Sequence, residues 1–225
     1  MITDTDFRML DLKDYPAILP LFQAQDDQLA PLAVLHWKAA GQVYTASPVG
    51  APVATILLVA GHRHYLAGKV GDLTFNRALQ VWLEHHLLAL RSAGEWGLIF
   101  YYAQPVWQAA LEQILAGRGA YPAQRLAYER VLASDQPLEQ PLLPVGYRLH
   151  LVDAELLTEP GLAGLDDLRT ELGSERSSVD DFLARSYGYA LLHNANVAGW
   201  CLSEYNLGER CEVGIATAEP TNGAV

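Results

Sequence analysis

A proline-rich stretch divides this chain into two segments of unequal length. Three prolines fall within residues 136–144. Proline fixes φ and lacks the backbone N–H that a helix or a central strand needs, so three prolines this close favour an extended connector. We therefore predict an N-terminal domain over residues 1–135, a linker over 136–144 and a C-terminal domain over 145–225. The chain must then build two cores.

The composition supplies enough apolar material for both cores. Of the 225 residues, 51% are hydrophobic and 18% are charged, which separates the chain from disordered sequences. Apolar runs stay well short of the roughly 18 residues of a membrane helix, and the acidic start lacks the pattern of a signal peptide. Two cysteines fit a reducing compartment. These features predict a cytoplasmic protein without a membrane partner.

The formal net charge of −11 bears on the choice of partner. Nucleic-acid binding draws on clustered Lys and Arg, and only 15 are scattered along this chain. We therefore predict no nucleic-acid partner. An acidic surface attracts a cationic or amine-bearing substrate over long range, although acidity that merely maintains solubility explains the charge equally well.

Apolar spacing in the first segment alternates between helical and strand periods. Asp72 is a candidate N-cap for the longest helix. The predicted elements, in order, are helices over 14–23 and 27–39, strands over 42–46, 53–60 and 64–68, a helix over 72–92, a strand over 98–102, a helix over 105–116 and a strand over 126–133.

The second segment begins in the same way. The predicted elements are a strand over 147–152, helices over 154–157, 162–172 and 179–184, and strands over 187–193, 197–205 and 210–217. Both segments place helices before three antiparallel strands, so the chain carries a weak repeat of architecture without visible sequence identity.

This order of elements resembles the GNAT N-acetyltransferase fold, and several strings strengthen the resemblance. They look like the GNAT branch that includes the zwittermicin A resistance acetyltransferases, from about residue 44 to residue 220. The resemblance implies an α+β fold class: a tandem GNAT-like (acyl-CoA N-acyltransferase) fold with mixed, mostly antiparallel sheets flanked by helices. The strings are Gly41-Gln42-Val43-Tyr44, Tyr65-Leu66-Ala67-Gly68, Pro144-Val145-Gly146-Tyr147, Trp200-Cys201-Leu202-Ser203-Glu204-Tyr205 and Cys211-Glu212-Val213-Gly214-Ile215-Ala216-Thr217.

The resemblance also implies an activity and a co-substrate. It implies transfer of an acetyl group from acetyl-CoA to a small-molecule amine, with the cofactor held along the last strand by Val213, Gly214, Ile215, Ala216 and Thr217. In that branch the strand continues into a glycine-containing loop and a helix, whose N–H groups bind the pyrophosphate.

Residues 221–225 depart from that pattern, because they hold one glycine and no Arg or Gln. We therefore expect the second GNAT copy to be incomplete, truncated before this loop, and the activity to be impaired. The alternative is a non-catalytic GNAT-like protein that binds a small molecule or another protein through its first segment.

The junction at residues 68–74 is an alternative anion site. Its two glycines and Lys69 make phosphate binding conceivable. Asp72 places a negative charge where the phosphate would lie, which favours an ordinary capped turn.

Glu204 and Glu212 are the candidate catalytic residues. They lie on neighbouring predicted strands, where a carboxylate raised in pKa by partial burial could deprotonate a substrate ammonium. The alternative is that both are ordinary strand residues on a solvated face.

Other reactive side chains carry weaker signals. Cys201 and Cys211 flank a turn predicted near Asn206, so they could be cross-strand neighbours, although packed free cysteines are the more frequent case. The histidine pairs at 62/64 and 85/86 lack a third ligand at familiar spacing, so no metal site is predicted. Finally, an unpaired strand at residues 210–217 is a template for β-addition, which makes a homodimer through this edge a further hypothesis.

Overall fold

A computed structural model describes residues 7–23, 28–46, 56–60, 63–92, 97–102, 104–124, 128, 142–174, 176 and 178–218. The chain divides into two compact units, unit 1 (Met1–Arg125) and unit 2 (Leu126–Val225). Most of the predicted linker, residues 136–141, lies outside the described residues, as does the strand predicted over 126–133 apart from residue 128. The domain boundaries therefore stay predictions.

Unit 1 is a mixed sheet flanked by helices. Its strands follow the order β1-β2-β3-β4-β5, and all pairs are antiparallel except β4 with β5, which are parallel. The elements are β1 (Arg8–Met9), a 3₁₀ turn (Leu12–Asp14), α1 (Tyr15–Gln23), α2 (Leu29–Leu35), β2 (Gln42–Thr45), β3 (Ile56–Ala60), β4 (Arg63–Ala67), α3 (Leu73–Ser92), β5 (Ile99–Tyr101) and α4 (Val106–Ile114).

Helix α3 connects the two parallel strands, because a parallel pair requires a crossover. Its first half buries Phe75, Leu79 and Leu83 against Leu57 and Leu66 of the sheet. Helical spacing predicts that Leu87 and Leu90 continue this buried stripe against the sheet, but this prediction is wrong in the second half of α3, where both leucines are only half-buried. They border a cleft that β5 and α4 also line.

Unit 2 is an antiparallel sheet with three helices before its meander. Its strands follow the order β6-β7-β8-β9. The elements are β6 (Tyr147–Leu151), α5 (Ala154–Leu157), α6 (Leu165–Ser174), α7 (Val179–Arg185), β7 (Gly188–His193), β8 (Asn196–Leu207) and β9 (Arg210–Thr217).

The two faces of the unit 2 sheet differ. Leu202 and Trp200 pack with the apolar side chains of α6 and α7, whereas Cys201 is exposed, as strand alternation predicts. The exposed face also carries large apolar side chains on three strands. They are Leu149, Leu151, Tyr189, Val213 and Ile215.

The α+β fold class predicted from the sequence is confirmed. Both units place a strand and helices before an antiparallel meander. Strand β1 was not predicted, because two residues carry no readable alternation.

The cap of α3 gives the first prediction. Asp72 Oδ1 accepts hydrogen bonds from the amides of Thr74 (2.9 Å) and Phe75 (3.1 Å). Asp72→Ala removes both, and we expect the free energy of unfolding of unit 1 to fall by about 1 kcal/mol. Urea denaturation measures this change. Asp72→Asn is the matched control, because asparagine caps as well as aspartate; an equal loss in both variants would contradict the capping role.

Candidate functional site

Hairpin β8–β9 brings the two candidate catalytic carboxylates together. Glu204 and Glu212 are direct cross-strand partners. Directly opposite residues in an antiparallel pair project to the same face, so the two side chains are neighbours. The structure therefore places them side by side, on the face that the helices of unit 2 cover.

Their environments differ. Glu204 is only 6% exposed, whereas Glu212 is half-buried. The Glu204 carboxylate lies directly above Gly214 of β9, where a built Cβ would overlap it. Gly214 is thus the residue whose missing side chain makes room for a buried carboxylate beside the last strand.

A polar network closes the end of the sheet next to Glu204. Arg176 is buried, and its Nε donates to Ser186 Oγ (3.1 Å). The Asn206 amide donates to Ser186 Oγ (3.3 Å) and to Ser203 Oγ (3.2 Å). Ser203 Oγ also accepts from the Tyr187 amide (2.9 Å). These bonds connect β8 with the segments before and after α7, and they hold the part of β8 that carries Glu204 in place.

The outer edge of β9 presents backbone groups. Ala218 N donates to Ala198 O of the neighbouring strand (3.0 Å). In an antiparallel strand, the N–H and C=O groups of one residue point to one side and those of the next residue to the other side. Since Ala218 bonds toward β8, the N–H and C=O groups of Val213, Ile215 and Thr217 point away from β8.

An independent bond gives the same alternation. Ser203 N donates to Tyr187 O (2.8 Å), so Ser203 bonds toward β7, and its neighbours on β8 bond toward β9. No other strand in the described part of unit 2 lies beyond β9. The outward groups therefore form a short ladder of alternating donors and acceptors.

Comparisons with known proteins decide the family. A family model of GNAT acetyltransferases matches residues 19–223. The chain belongs to the GNAT acetyltransferase family. This family is one of acetyltransferases that generally use acetyl-CoA. Among curated proteins, no match is found.

A solved structure supports the GNAT fold. It is that of a GCN5-related N-acetyltransferase-like protein from Streptococcus suis, which is 19% identical to this chain with a TM-score of 0.58. The similarity covers 94% of this chain and 78% of that one. At this identity the likeness shows the fold.

The cysteines of this GNAT protein are not the cross-strand pair that the sequence allowed. Cys201 lies opposite Ile215, because the hairpin is centred on Gly208 and not on Asn206. Cys211 instead shares a hydrogen bond with the Tyr187 hydroxyl (3.3 Å). That bond, followed by burial and the nearby thiols, raises the pKa of the Tyr187 phenol.

The alternative anion site in unit 1 is closed. Gly68 (φ 93°) and Gly71 (φ 83°) form the turn before α3. The Asp72 carboxylate, however, accepts hydrogen bonds from the backbone N–H groups of Thr74 and Phe75. These are the N–H groups that a phosphate would need at a helix start. The structure thus agrees with the ordinary capped turn.

The histidines lie in aromatic packing. The His64 ring lies 5.7 Å from that of His86, and His86 stacks on Trp82 at 4.3 Å. His62 lies outside the described residues. In the described ranges, no three His, Cys, Asp or Glu side chains converge as metal ligands would.

Sequence reasoning missed Arg176, Ser186 and Asn206. They lie in loops or at strand ends, where no periodicity marks a residue. A buried arginine in a short polar segment, here Ser174-Glu175-Arg176-Ser177-Ser178, is not distinguishable by sequence from a solvated one.

The fit between Glu204 and Gly214 gives the second prediction. Gly214→Ala forces the carboxylate to move, and we expect the free energy of unfolding to fall by about 1–3 kcal/mol, as overpacking does. Glu204→Ala removes the obstacle. In a double-mutant cycle measured by urea denaturation, we expect a coupling of at least about 1 kcal/mol. Strict additivity would contradict the contact.

The thiol of Cys201 gives the third prediction. Although Cys201 is exposed as a residue, partial burial of its thiol, followed by the charge of nearby Cys211, raises the pKa of the thiol. A raised pKa lowers the thiolate fraction at neutral pH, so we expect slow alkylation at pH 7 that accelerates about tenfold per pH unit through the alkaline range. Peptide-level mass spectrometry after iodoacetamide treatment measures the rate, and Cys211→Ser should raise it. A fast, pH-independent reaction would contradict the expectation.

Proposed function

We propose that this protein transfers an acetyl group from acetyl-CoA to a small-molecule amine, with Glu204 as general base. The observation that carries the proposal is the buried Glu204 carboxylate held over Gly214, one strand from an open backbone edge. Family membership supplies the reaction class. The geometry supports the choice of residues.

The outer edge of β9 fits the pantetheine arm of acetyl-CoA. That arm carries two amides, and an extended chain with amides pairs with a free strand edge as an added strand does. The outward N–H and C=O groups of Val213, Ile215 and Thr217 would hold it, with Gly214 and Ala216 between them. When bound, acetyl-CoA supplies the activated acetyl thioester.

Glu204 is the better base of the pair. A carboxylate near the entering amine accepts a proton from the ammonium and leaves a nucleophilic nitrogen. Glu204 is shielded from bulk water, and the network around Ser203 and Asn206 holds its strand in place. Glu212 lies opposite and is more exposed, so its proposed contribution is the negative charge that attracts the ammonium.

Charge and thiols support the substrate class and the compartment. The net charge of −11 favours approach of a cationic amine. No helix in the described part of the chain has the length and apolarity to span a bilayer. The proposal places the reaction in the cytoplasm, where free thiols such as Cys201 and Cys211 persist.

The proposal includes weak cofactor binding by this polypeptide. The outer edge of β9 offers neutral backbone groups, and Arg210 lies at the opposite end of the strand from Thr217. In unit 1, Asp72 occupies the start of α3. We propose no charge-assisted hydrogen bonds, of about 1.5–3 kcal/mol each, from the described residues to the pyrophosphate, so we expect the affinity for acetyl-CoA to be lower by about a thousandfold.

A cleft in unit 1 supports a second candidate function, the binding of an apolar small molecule without chemistry. It encloses about 1150 Å³ between the second half of α3, β5 and α4. Its apolar lining includes Leu83, Leu87, Leu90, Phe100, Leu111 and Leu115. A transfer assay distinguishes the two functions, because binding in this cleft produces no acetylated amine.

The fourth prediction tests Glu204. At millimolar acetyl-CoA and with a panel of primary amines, we expect slow amine-dependent acetylation, which Glu204→Gln lowers about a hundredfold because the glutamine amide cannot accept the proton. Glu212→Gln is the matched control and should lower the rate less than tenfold. Mass spectrometry of the acetylated amine measures the rate.

Calorimetric titration of the same proteins separates binding from chemistry. We expect a dissociation constant for acetyl-CoA well above the micromolar range, and the same in wild type and Glu204→Gln. A low-micromolar constant would refute the weak-binding part of the proposal. Equal rates in wild type and Glu204→Gln would refute the role of Glu204.

A further inference from the structure

Strand β9 has the features of a self-pairing edge. It is the last strand of the described sheet of unit 2, and it contains neither lysine nor proline. Val213 is 57% exposed and Ile215 is 75% exposed. Native edge strands are usually protected by charged side chains, above all lysine, or by proline, a bulge or a covering element. The two charged residues of β9, Arg210 and Glu212, lie at its start, and the described residues 213–218 show none of these devices on their outer side.

We propose that a second copy of this chain pairs with β9 in antiparallel orientation, around a two-fold axis that lies midway between the two strands at the level of Gly214, so that Gly214 faces the partner's Gly214. The two sheets of unit 2 then join into one continuous sheet. The contact is isologous, since the same strand serves both subunits. A symmetric pair closes on itself, whereas β9 pairing with another edge would build open chains.

Symmetry restricts the register of this pairing. A two-fold axis perpendicular to the sheet keeps exposed faces on the same side, so outward-bonding residues must oppose outward-bonding residues. Along the strand, the axis must therefore lie at the level of a residue, which then faces its own copy, and not between two residues. With Gly214 on the axis, Val213 lies opposite the partner's Ile215.

The Gly214 register is the one that uses the whole strand. Residues 210–218 overlap completely, so four hydrogen-bonded pairs form: Cys211 with the partner's Thr217, Val213 with the partner's Ile215, and their two symmetry equivalents. An axis through Val213 runs the strand into the turn at 208–209, and one through Ile215 shortens the overlap. Both lose one of the four pairs.

Charge favours the same register. With Gly214 on the axis, Glu212 lies opposite the partner's Ala216, and no like charges meet within β9. An axis through Glu212 would place this carboxylate against the partner's Glu212, which is destabilising. The apolar pairs between Val213 and the partner's Ile215 would lie on the exposed face, and burial of these side chains favours association.

Self-pairing has a consequence that rests on the proposed function. The outward groups of Val213, Ile215 and Thr217 that would hold pantetheine are the groups that bond the second copy. Cofactor binding and self-pairing therefore exclude each other, and acetyl-CoA at saturating concentration should convert dimers into monomers.

The fifth prediction tests the register by cross-linking. In a Cys201→Ser background, Thr217→Cys places the new thiol opposite the partner's Cys211, within the Cα separation of about 4.4–6.8 Å that a disulfide requires. We expect a disulfide-linked dimer on a non-reducing gel after mild oxidation. Cys211→Ser in the same variant should abolish the cross-link. Ala216→Cys is the matched control, because it faces the partner's Glu212.

The mass of the chain without substitutions gives the second measurement. Light scattering after size-exclusion chromatography at about 100 μM protein should yield twice the mass of the chain. A high protein concentration is used because dimer formation depends on concentration by mass action. Ile215→Lys should yield the monomer mass with an unchanged circular dichroism spectrum, because an edge lysine blocks pairing.

Several outcomes would overturn the proposal: a monomeric natural chain, masses above the dimer, or a dimer that persists in Ile215→Lys. Equal cross-linking of Thr217→Cys with and without Cys211 would overturn the register. A dimer that is unaffected by saturating acetyl-CoA would leave self-pairing standing and would overturn the proposed cofactor edge.

Discussion

The pairing of β8 with β9 is the constraint on which the candidate site depends. Its register, centred on Gly208, sets Glu204 opposite Glu212 and places the Glu204 carboxylate above Gly214. A shift by one residue would move every side chain of β9 to the other face. The buried carboxylate would then meet a side chain where it now meets the bare Cα of a glycine.

In the described residues, the two units cover the faces of their sheets in different ways. In unit 1, α3 returns the chain to a parallel partner, and α3 and α4 cover Leu57 and Leu66 of the sheet. In unit 2, the helices before the meander cover one face, and the other face exposes Leu151, Tyr189 and Ile215.

The backbone groups at the end of each meander also have different partners in the two units. In unit 1 the helix after the meander is closed by its own Asp72, so its N–H groups serve folding. In unit 2 the backbone groups of Val213, Ile215 and Thr217 on the edge of β9 point outward, where the proposed cofactor and the proposed second copy would bind. A free edge is thus the feature that connects the proposed activity with the proposed dimer.

The sequence by itself determined the elements of this fold. Helical periodicity marked α3 and α4, alternation marked the meander of unit 2, and Asp72 marked a helix start. These signals are local, because they depend on which side chains repeat along a few turns or strands. The motif strings added the GNAT family. The short β1 had no such signal, and the half-burial of Leu87 was decided by a cleft beyond its own helix.

The tertiary structure alone decided the site. The sequence named Glu204 and Glu212 without choosing the face of the sheet on which they lie, because strand register depends on where the hairpin turns. The shift of that turn from Asn206 to Gly208 separated Cys201 from Cys211 and brought Cys211 to Tyr187. The burial of Arg176 and the room above Gly214 depend on residues distant in the chain, and only the packed fold brings them together.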